Sequence, residues 1–389
     1  MRGYSSIAIS LLLSLLLATP VVAQYGTGIA HFVLTDDAGH IDHVTPNQLW
    51  QDLTYNLGAP PVLQTSVGWP ATGFADGVGD HIFYVGATDG HVYQIFYCGK
   101  NCVPLDTWVL QDITQIANNA PLPKTGSPLN SFVSPGQEHV LYLGANEHVY
   151  QLVQTSNGGW TYQDLTAAAS CVVAASNSPI GSFNDSLGQH VFHFGGSYHV
   201  RQLYYAYSSG TWVCQDLTAS APGAPVAVSG SALAAFTDAQ EHAVYQAANN
   251  GIYQLITHTG GWGYQQLPTP GASTAVQGTP IAVTADLSHG YEYVFYSAQG
   301  QVGNYPTYGL IYNKSTWIAH ALGFGSETGI PFTTNWASQT GALVFVAESE
   351  FYTPNFSINV NGGATFNDDF GEAPRGVVPG ATLQMWIDP

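Results

Sequence analysis

The stretch Trp160-Thr161-Tyr162-Gln163-Asp164-Leu165-Thr166 decides the fold, because it recurs along the chain. Further copies, near-identical, shortened or weakened, begin at Trp50, Trp108, Trp212, Trp262 and Trp317. Successive tryptophans of this series are 58, 52, 52, 50 and 55 residues apart. A nearly constant period of this length, filled with short strand-like segments, is typical of a repeat architecture.

The composition favours strands over helices. Hydrophobic residues make up 45% of the 389 residues and charged residues only 8%, against roughly a quarter in ordinary domains. Gly, Tyr, Thr and Ser fill the gap, which suits short strands and tight turns. The formal net charge is −19, from 25 acidic and 6 basic side chains. Because nucleic acids and anionic membranes are bound through Lys and Arg, this charge argues against both as partners.

Residues 1–23 have the features of a secretory signal peptide. Arg2 lies at the start, an apolar run covers residues 7–17, and Val21-Val22-Ala23 offers a cleavage site. A membrane anchor is the alternative, although the apolar run is short for a bilayer. We expect residues 24–389 to form one exported domain, extracellular or periplasmic, without membrane insertion.

The four cysteines are an even number, as expected for disulfides in an exported chain. Of the three pairings that four cysteines allow, we favour Cys98 with Cys102 and Cys171 with Cys214. The first pair could instead be half of a metal site, but no further Cys or His lies beside it in the sequence. We therefore predict neither a metal nor a cofactor.

Each full repeat predicts four strands. In the third repeat we expect them over residues 127–132, 139–144, 148–152 and 160–166. The strands are β-branched and aromatic, and turn residues such as Asn157-Gly158-Gly159 separate them. The same pattern is repeated from the second repeat to the sixth.

The two ends of the chain predict the topology. The first repeat lacks its first strand and starts with strand-like residues 30–35, whereas residues 381–387 are a spare strand-like run at the other end. If the last strand completes the first repeat, no sheet edge stays open. The fold class we predict is all-β: a seven-bladed β-propeller of four-stranded blades, closed by the C-terminal strand pairing with the N-terminal blade. A β-helix or an open array is the alternative.

Several motifs resemble the bacterial propeller lectins of the PLL type and the fucose-binding lectins. They are HVYQL at residues 148–152, the WxxQDLT strand, Gly58-Ala59-Pro60 with its copy Gly223-Ala224-Pro225, and Gly230-Ser231-Ala232-Leu233. The resemblance implies sugar pockets between neighbouring blades, with aromatic side chains stacked on the sugar. The fucose-specific branch also uses an Arg. Arg201 is the one Arg within the repeats, so recognition of that kind is expected at one place at most.

Two series of side chains are candidates for carbohydrate binding, since aromatic rings match the CH faces of a saccharide and polar groups match its hydroxyls. They are Trp108, Trp160, Trp212 and Trp262 with His81, His139, His190 and His242. Within a blade, His81 would share a pocket with Trp108, and the copies likewise. The alternatives are that the tryptophans pack between blades and that the histidines bond to hairpin backbone. A second series, His40, His91, His148 and His199, is expected ~17 Å away.

The other motifs favour structure over catalysis. The aspartates of the repeated strand, Asp52, Asp112, Asp164 and Asp216, suit hydrogen bonding to turn backbone. No zinc-protease, nucleophile-elbow or phosphate-loop motif occurs. The sequons Asn184, Asn313 and Asn355 are glycosylation sites only if the source glycosylates them.

We therefore predict an exported, multivalent, non-catalytic carbohydrate-binding protein whose partners are glycans or glycoconjugates. A self-assembling surface or filament protein is the alternative, and homo-oligomerisation stays open in either case. A divergent polysaccharide-acting enzyme is a third hypothesis.

Overall fold

A computed structural model describes residues 30–35, 38–44, 51–65, 70–76, 78–98, 107–268, 275–279, 281–286, 290–298, 305–326, 332–337, 341–346, 355–358, 364–367 and 383–387. The described residues form 28 strands and four one-turn helices. The strands assemble into seven four-stranded antiparallel sheets, numbered here in chain order. The predicted all-β fold of four-stranded units is therefore confirmed.

The first four sheets follow the chain with one exception. Sheet 1 combines β1 (Ala30–Thr35), β2 (Ile41–Val44) and β3 (Gln51–Asp52) with the last strand, β28 (Leu383–Ile387). Sheet 2 contains β4 (Ala71–Ala75), β5 (Gly79–Val85), β6 (Val92–Cys98) and β7 (Thr107–Asp112). Sheet 3 contains β8 (Asn130–Ser134), β9 (Gln137–Leu143), β10 (Val149–Gln154) and β11 (Trp160–Asp164). Sheet 4 contains β12 (Ile180–Asn184), β13 (Gly188–Phe194), β14 (Val200–Ala206) and β15 (Thr211–Asp216).

The remaining sheets repeat this order. Sheet 5 contains β16 (Leu233–Thr237), β17 (Glu241–Gln246), β18 (Ile252–His258) and β19 (Gly261–Gln266). Sheet 6 contains β20 (Ile281–Asp286), β21 (Tyr291–Ser297), β22 (Tyr305–Tyr312) and β23 (Trp317–Ser326). Sheet 7 contains β24 (Phe332–Ala337), β25 (Gly341–Val346), β26 (Asn355–Ile358) and β27 (Ala364–Asn367).

The C-terminal strand joins the N-terminal sheet, as the unequal ends of the sequence predict. β28 pairs antiparallel with β1, in a backbone register that places Trp386 opposite His31 and Met385 opposite Phe32. The first strands of successive sheets also lie side by side, from β4 to β8, β12, β16, β20 and β24. β24 then lies beside β28, and β28 beside β4.

The apolar cores lie between neighbouring sheets. One cluster joins Phe83 and Val92 of sheet 2 to Val140, Tyr142 and Leu152 of sheet 3. Both faces of the inner strands are covered in this way, so β9 and β13 are buried almost throughout. This explains why these strands lack the apolar–polar alternation of a half-exposed sheet.

The repeated Asp-Leu-Thr motif ends the fourth strand and starts a short helix, whereas the sequence predicted strand up to Thr166. The helices are α1 (Leu53–Leu57), α2 (Ile113–Ile116), α3 (Leu165–Ala168) and α4 (Leu217–Ser220). In the third repeat Asp164 caps the helix by accepting the Ala167 N–H at 2.9 Å. Thr166 Oγ1 accepts the buried Val149 N–H at 2.9 Å. The motif therefore ties the fourth strand to the third.

One predicted disulfide is described in full. Cys171 is bonded to Cys214, which joins the segment after α3 to β15. Cys98 is also disulfide-bonded, while its predicted partner Cys102 lies outside the described residues. The signal peptide proposed for residues 1–23 lies outside them too. None of the helices in the described part of the chain has the length and apolar character that crossing a bilayer requires.

Candidate functional site

The tryptophans and histidines predicted to share pockets within one sheet lie on opposite faces of it. In the register of sheet 3, His139 is paired with Val153, and Val153 is paired with Thr161, the residue after Trp160. Side chains alternate between faces along a strand, so a register offset of one residue separates the two rings. The same offset recurs in sheets 2, 4 and 5. The predicted pairing of His81 with Trp108, and its copies, was therefore wrong.

The tryptophans pack against the preceding sheet. Trp160 is 2% exposed and meets Phe83 of sheet 2 edge-on at 6.0 Å. Trp212 and Trp262 are buried in the same way. Trp108 is half-buried: its ring lies 4.8 Å from His43, and its Nε1 donates to Gln51 Oε1 at 3.2 Å. Of these four rings, Trp108 therefore has the most surface available to a ligand.

The histidines of the second strands face the following sheet and are at most 1% exposed. Each ring stacks on a Phe of the first strand of its own sheet, at centroid distances of 4.9, 4.5, 4.6 and 4.4 Å. Each also contacts a Gln of the third strand; these glutamines are Gln94, Gln151, Gln202 and Gln254. These histidines bond to side chains, whereas the alternative from the sequence was a bond to hairpin backbone.

The junction between sheets 2 and 3 holds its histidine between two carboxylates. His81 Nε2 lies 3.2 Å from Asp76 Oδ1, and its Nδ1 lies 3.1 Å from Glu138 Oε2 of sheet 3. Gln94 Nε2 donates to the same Glu138 oxygen at 2.6 Å. Burial alone lowers the pKa of His81, but the hydrogen bonds to Asp76 and Glu138 outweigh it and raise the pKa to about 9. At neutral pH the His81 ring is therefore charged, and it links a carboxyl group of its own sheet to one of sheet 3.

Two further junctions repeat the acidic arrangement. His190 lies between Asp185 and Glu241, at 3.2 and 3.1 Å. His242 lies between Asp238 and Glu292, at 3.0 and 3.5 Å. In both, the carboxylate contacting Nδ1 comes from the next sheet along the chain.

The junction between sheets 3 and 4 is neutral instead. His139 Nε2 contacts Ser134 Oγ at 2.7 Å, where the other junctions have Asp. Gln189 occupies the position directly before His190 that Glu138 and Glu241 occupy before their histidines. With no carboxylate to offset it, burial lowers the pKa of His139 to about 4.

The histidines directly before the third strands have a different partner. Each Nδ1 contacts the helix-capping aspartate of its own sheet; the pairs are His40–Asp52 (3.0 Å), His91–Asp112 (2.7 Å), His148–Asp164 (2.7 Å) and His199–Asp216 (2.9 Å). Because those aspartates also accept a helix N–H, the predicted structural role of the aspartates agrees with the geometry.

Among the described residues, two groups of acids and a histidine have ligand atoms within 4.8 Å of one another, close enough for a metal ion. In the group Asp238, His242 and Glu292, the carboxylates contact opposite nitrogens of one ring, and one ion cannot replace both contacts. In the group around His91, Asp89 accepts a hydrogen bond from the Tyr93 hydroxyl, and Asp112 contacts His91 Nδ1 and accepts the helix N–H of Gln115. Both groups are satisfied as hydrogen-bond networks.

The sequons differ in setting. Asn184 ends β12, and its Oδ1 accepts the Tyr207 hydroxyl. Asn313 lies in the turn before β23, where its Oδ1 accepts the Thr316 N–H at 3.0 Å. Asn355 begins β26, but its side chain lies outside the described residues.

No protein-family model matches the chain, and no curated protein matches its sequence. Solved structures do match. The BP39L lectin of Burkholderia pseudomallei is 13% identical with a TM-score of 0.60, over 90% of this chain and 95% of the lectin. The Aleuria aurantia lectin, described as a six-bladed β-propeller with fucose recognition, is 17% identical with a TM-score of 0.53, over 83% and 99%. The SapL1 lectin, solved with α-methyl fucoside, is 15% identical with a TM-score of 0.53, over 81% of this chain and 98% of the lectin.

At these identities the likeness shows the fold alone. The chain has the sheet arrangement of β-propeller lectins, bacterial ones included, which confirms the resemblance seen in the repeated motifs.

Proposed function

We propose that this protein is an exported, multivalent, non-catalytic lectin built as a closed seven-bladed β-propeller from residues 24–389. The pairing of β28 with β1 carries the proposal, because it completes a seventh four-stranded unit from the two ends of the chain. The first strands of successive sheets are neighbours from β4 round to β28, and β28 again lies beside β4, which supports closure of the propeller. The Aleuria aurantia lectin, by comparison, has six blades.

The glycan sites are proposed at the junctions between sheets, which the eight candidate tryptophans and histidines help to build. Most of these side chains are buried between two sheets, so a saccharide would bind to the solvent-exposed edge of a junction and not to these side chains themselves. Trp108 is the exception, because its half-buried ring offers a CH-binding face beside Gln51. Several weak sites on one rigid body would gain strength together on a glycan-coated surface.

Export is supported by the signal-like residues 1–23 and by the disulfide Cys171–Cys214, since disulfides persist in oxidising compartments. The similar solved structures are lectins, and the repeated carboxylates act in helix caps and junctions, which supports a role without catalysis.

A glycan array with residues 24–389 tests the proposal. Fucosides belong on the array because the SapL1 and Aleuria aurantia lectins were solved with them. We expect binding that is stronger on dense than on sparse glycans, and weaker for Trp108→Ala. Leu187→Ala is the matched control, because Leu187 is 62% exposed and lies between β12 and β13, in a different sheet from Trp108. Silence on every glycan would count against the lectin function.

A further inference from the structure

One pair of facing residues sets sheet 4 apart from its neighbours. In sheets 2, 3, 5 and 6 the second and third strands place two tyrosine rings opposite each other; the pairs are Tyr84–Tyr93, Tyr142–Tyr150, Tyr245–Tyr253 and Tyr296–Tyr308, with centroids 5.6, 5.7, 6.2 and 6.0 Å apart. The same register in sheet 4 places His193 opposite Arg201. Arg201 is the one arginine among the described residues.

Arg201 has hydrogen-bond donors that the protein does not use. Its Nη2 lies 2.9 Å from Asp216 Oδ2, while its Nε is buried without a hydrogen-bond partner. Asp216 also binds His199 Nδ1 and accepts the Ala219 N–H at 2.9 Å, so its oxygens are already engaged. Because Nε is buried, a ligand would have to reach the Nη groups of the partly exposed side chain, one of which Asp216 contacts. A ligand group that only accepts, such as a carboxylate, suits it better than a hydroxyl.

His193 is uncharged at neutral pH, so it neither neutralises nor adds to the positive charge of Arg201. The ring is fully buried, and neither nitrogen makes a hydrogen bond of ordinary geometry. Burial, aided by the Arg201 guanidinium, lowers the pKa of His193 to about 4. At neutral pH it is an uncharged polar ring beneath the arginine.

The open space in this turn lies at Gly196. A Cβ on Gly196 would meet nothing within 4 Å, whereas one on Gly195 would be crowded, at 3.3 Å from both Arg201 Nε and Val172 Cγ2. The Arg201 side chain is 19% exposed and Val172 is 48% exposed. Nearby, Tyr198 holds a φ of 58°, unusual for a bulky residue. Apolar and aromatic surface thus borders a cationic group.

We propose that Arg201 binds the carboxylate of an acidic saccharide, such as a uronic acid residue, with Val172 and Tyr198 against the sugar ring. The inference rests on the proposed lectin function and deepens it, by assigning one ligand class to one site. In sheet 2 the position of Arg201 is held by Tyr93, whose hydroxyl donates to Asp89, so that sheet has no cation there to pair with such a ligand. Acidic sugars should therefore bind once per chain.

Calorimetry with a galacturonate oligosaccharide and its methyl ester tests this on residues 24–389. We expect the free acid to bind at least tenfold more tightly than the ester, with an affinity that falls as salt rises. The double variant His193→Tyr/Arg201→Tyr restores the pair found in the other sheets, so it should fold and lose the preference for the acid. Lys124→Gln is the matched control: it removes another cation, one paired with Glu147, and should keep the preference.

Equal affinity for acid and ester, or a preference that survives in the double variant, would overturn the assignment. Binding of neutral glycans by the wild type and both variants would then leave the lectin function standing. If neither neutral nor acidic glycans bind the wild type, both proposals fail.

Discussion

Replacing Ser134 by Asp and Gln189 by Glu should turn the neutral junction between sheets 3 and 4 into the acidic kind. The pKa of His139 should then rise from about 4 towards the value of about 9 that His81 has between Asp76 and Glu138. The full difference is about 5 pKa units, or about 7 kcal/mol at 1.36 kcal/mol per unit, which is an upper limit. We expect the pKa to pass the ordinary value of 6.5.

When the pKa of His139 passes 6.5, the pH dependence of its contribution to stability should reverse in sign. In the wild type the depressed pKa of His139 means that its contribution to stability is present above pH 6.5 and is lost as the pH falls through about 4. In the double variant a raised pKa means that the contribution is present below pH 6.5 and is lost as the pH rises through the new value.

Titration of the histidine Cε1–H signals by NMR measures the pKa directly, and urea unfolding between pH 4 and 9 measures the stability. Each single substitution serves as a control and should give an intermediate pKa. The reverse double variant, Asp76→Ser with Glu138→Gln, should lower the pKa of His81 below 6.5. A natively folded Ser134→Asp/Gln189→Glu protein whose His139 still titrates below 6.5 would refute the account of these junctions.

Three further predictions concern stability, read from urea unfolding. Thr166→Val leaves a buried N–H without its acceptor and should cost about 1–3 kcal/mol, whereas Thr161→Val, at an exposed position, should be nearly neutral. Replacing Cys171 and Cys214 by Ser removes a bridge that spans 43 residues, leaves the disulfide of Cys98 in place and should lower stability by about 4 kcal/mol; an unchanged urea midpoint would contradict this. Trp160→Ala should cost about 3–5 kcal/mol through the cavity between sheets 2 and 3 while glycan binding persists, and selective loss of binding would show that the ring contacts ligand.

The sheets and their order could be predicted because each repeat carries local signals. The HVYQL and WxxQDLT segments specify a pair of neighbouring strands, and the half-repeats at the two ends indicate that β28 belongs beside β1. The helix after Asp164 was missed, although an Asp followed by Thr and Ala has the features of a cap before a short turn.

The faces of the sheets could not be predicted in the same way. Whether His139 and Trp160 share a face depends on the lengths of two hairpin turns, and a shift of one residue reverses the answer. The partners across a junction, such as Glu138 for His81, are far apart in the sequence and follow only from the assembled sheets. That His193 lies opposite Arg201, where the other sheets have a tyrosine pair, follows only from the register of the strands.

The strand order of sheet 1 has a consequence for biosynthesis. Ala30 pairs with Ile387, so all of the segments from β2 to β27 must be translated before these two partners coexist. Sheets 2 to 7 need only neighbouring segments and can form as each emerges, whereas sheet 1 is completed only when β28 has been translated. A nonsense mutation that removed β28 would leave β1 with an unpaired edge, and such an edge recruits other chains. Products truncated before β28 should therefore aggregate, even though the strands from β1 to β27 are all present.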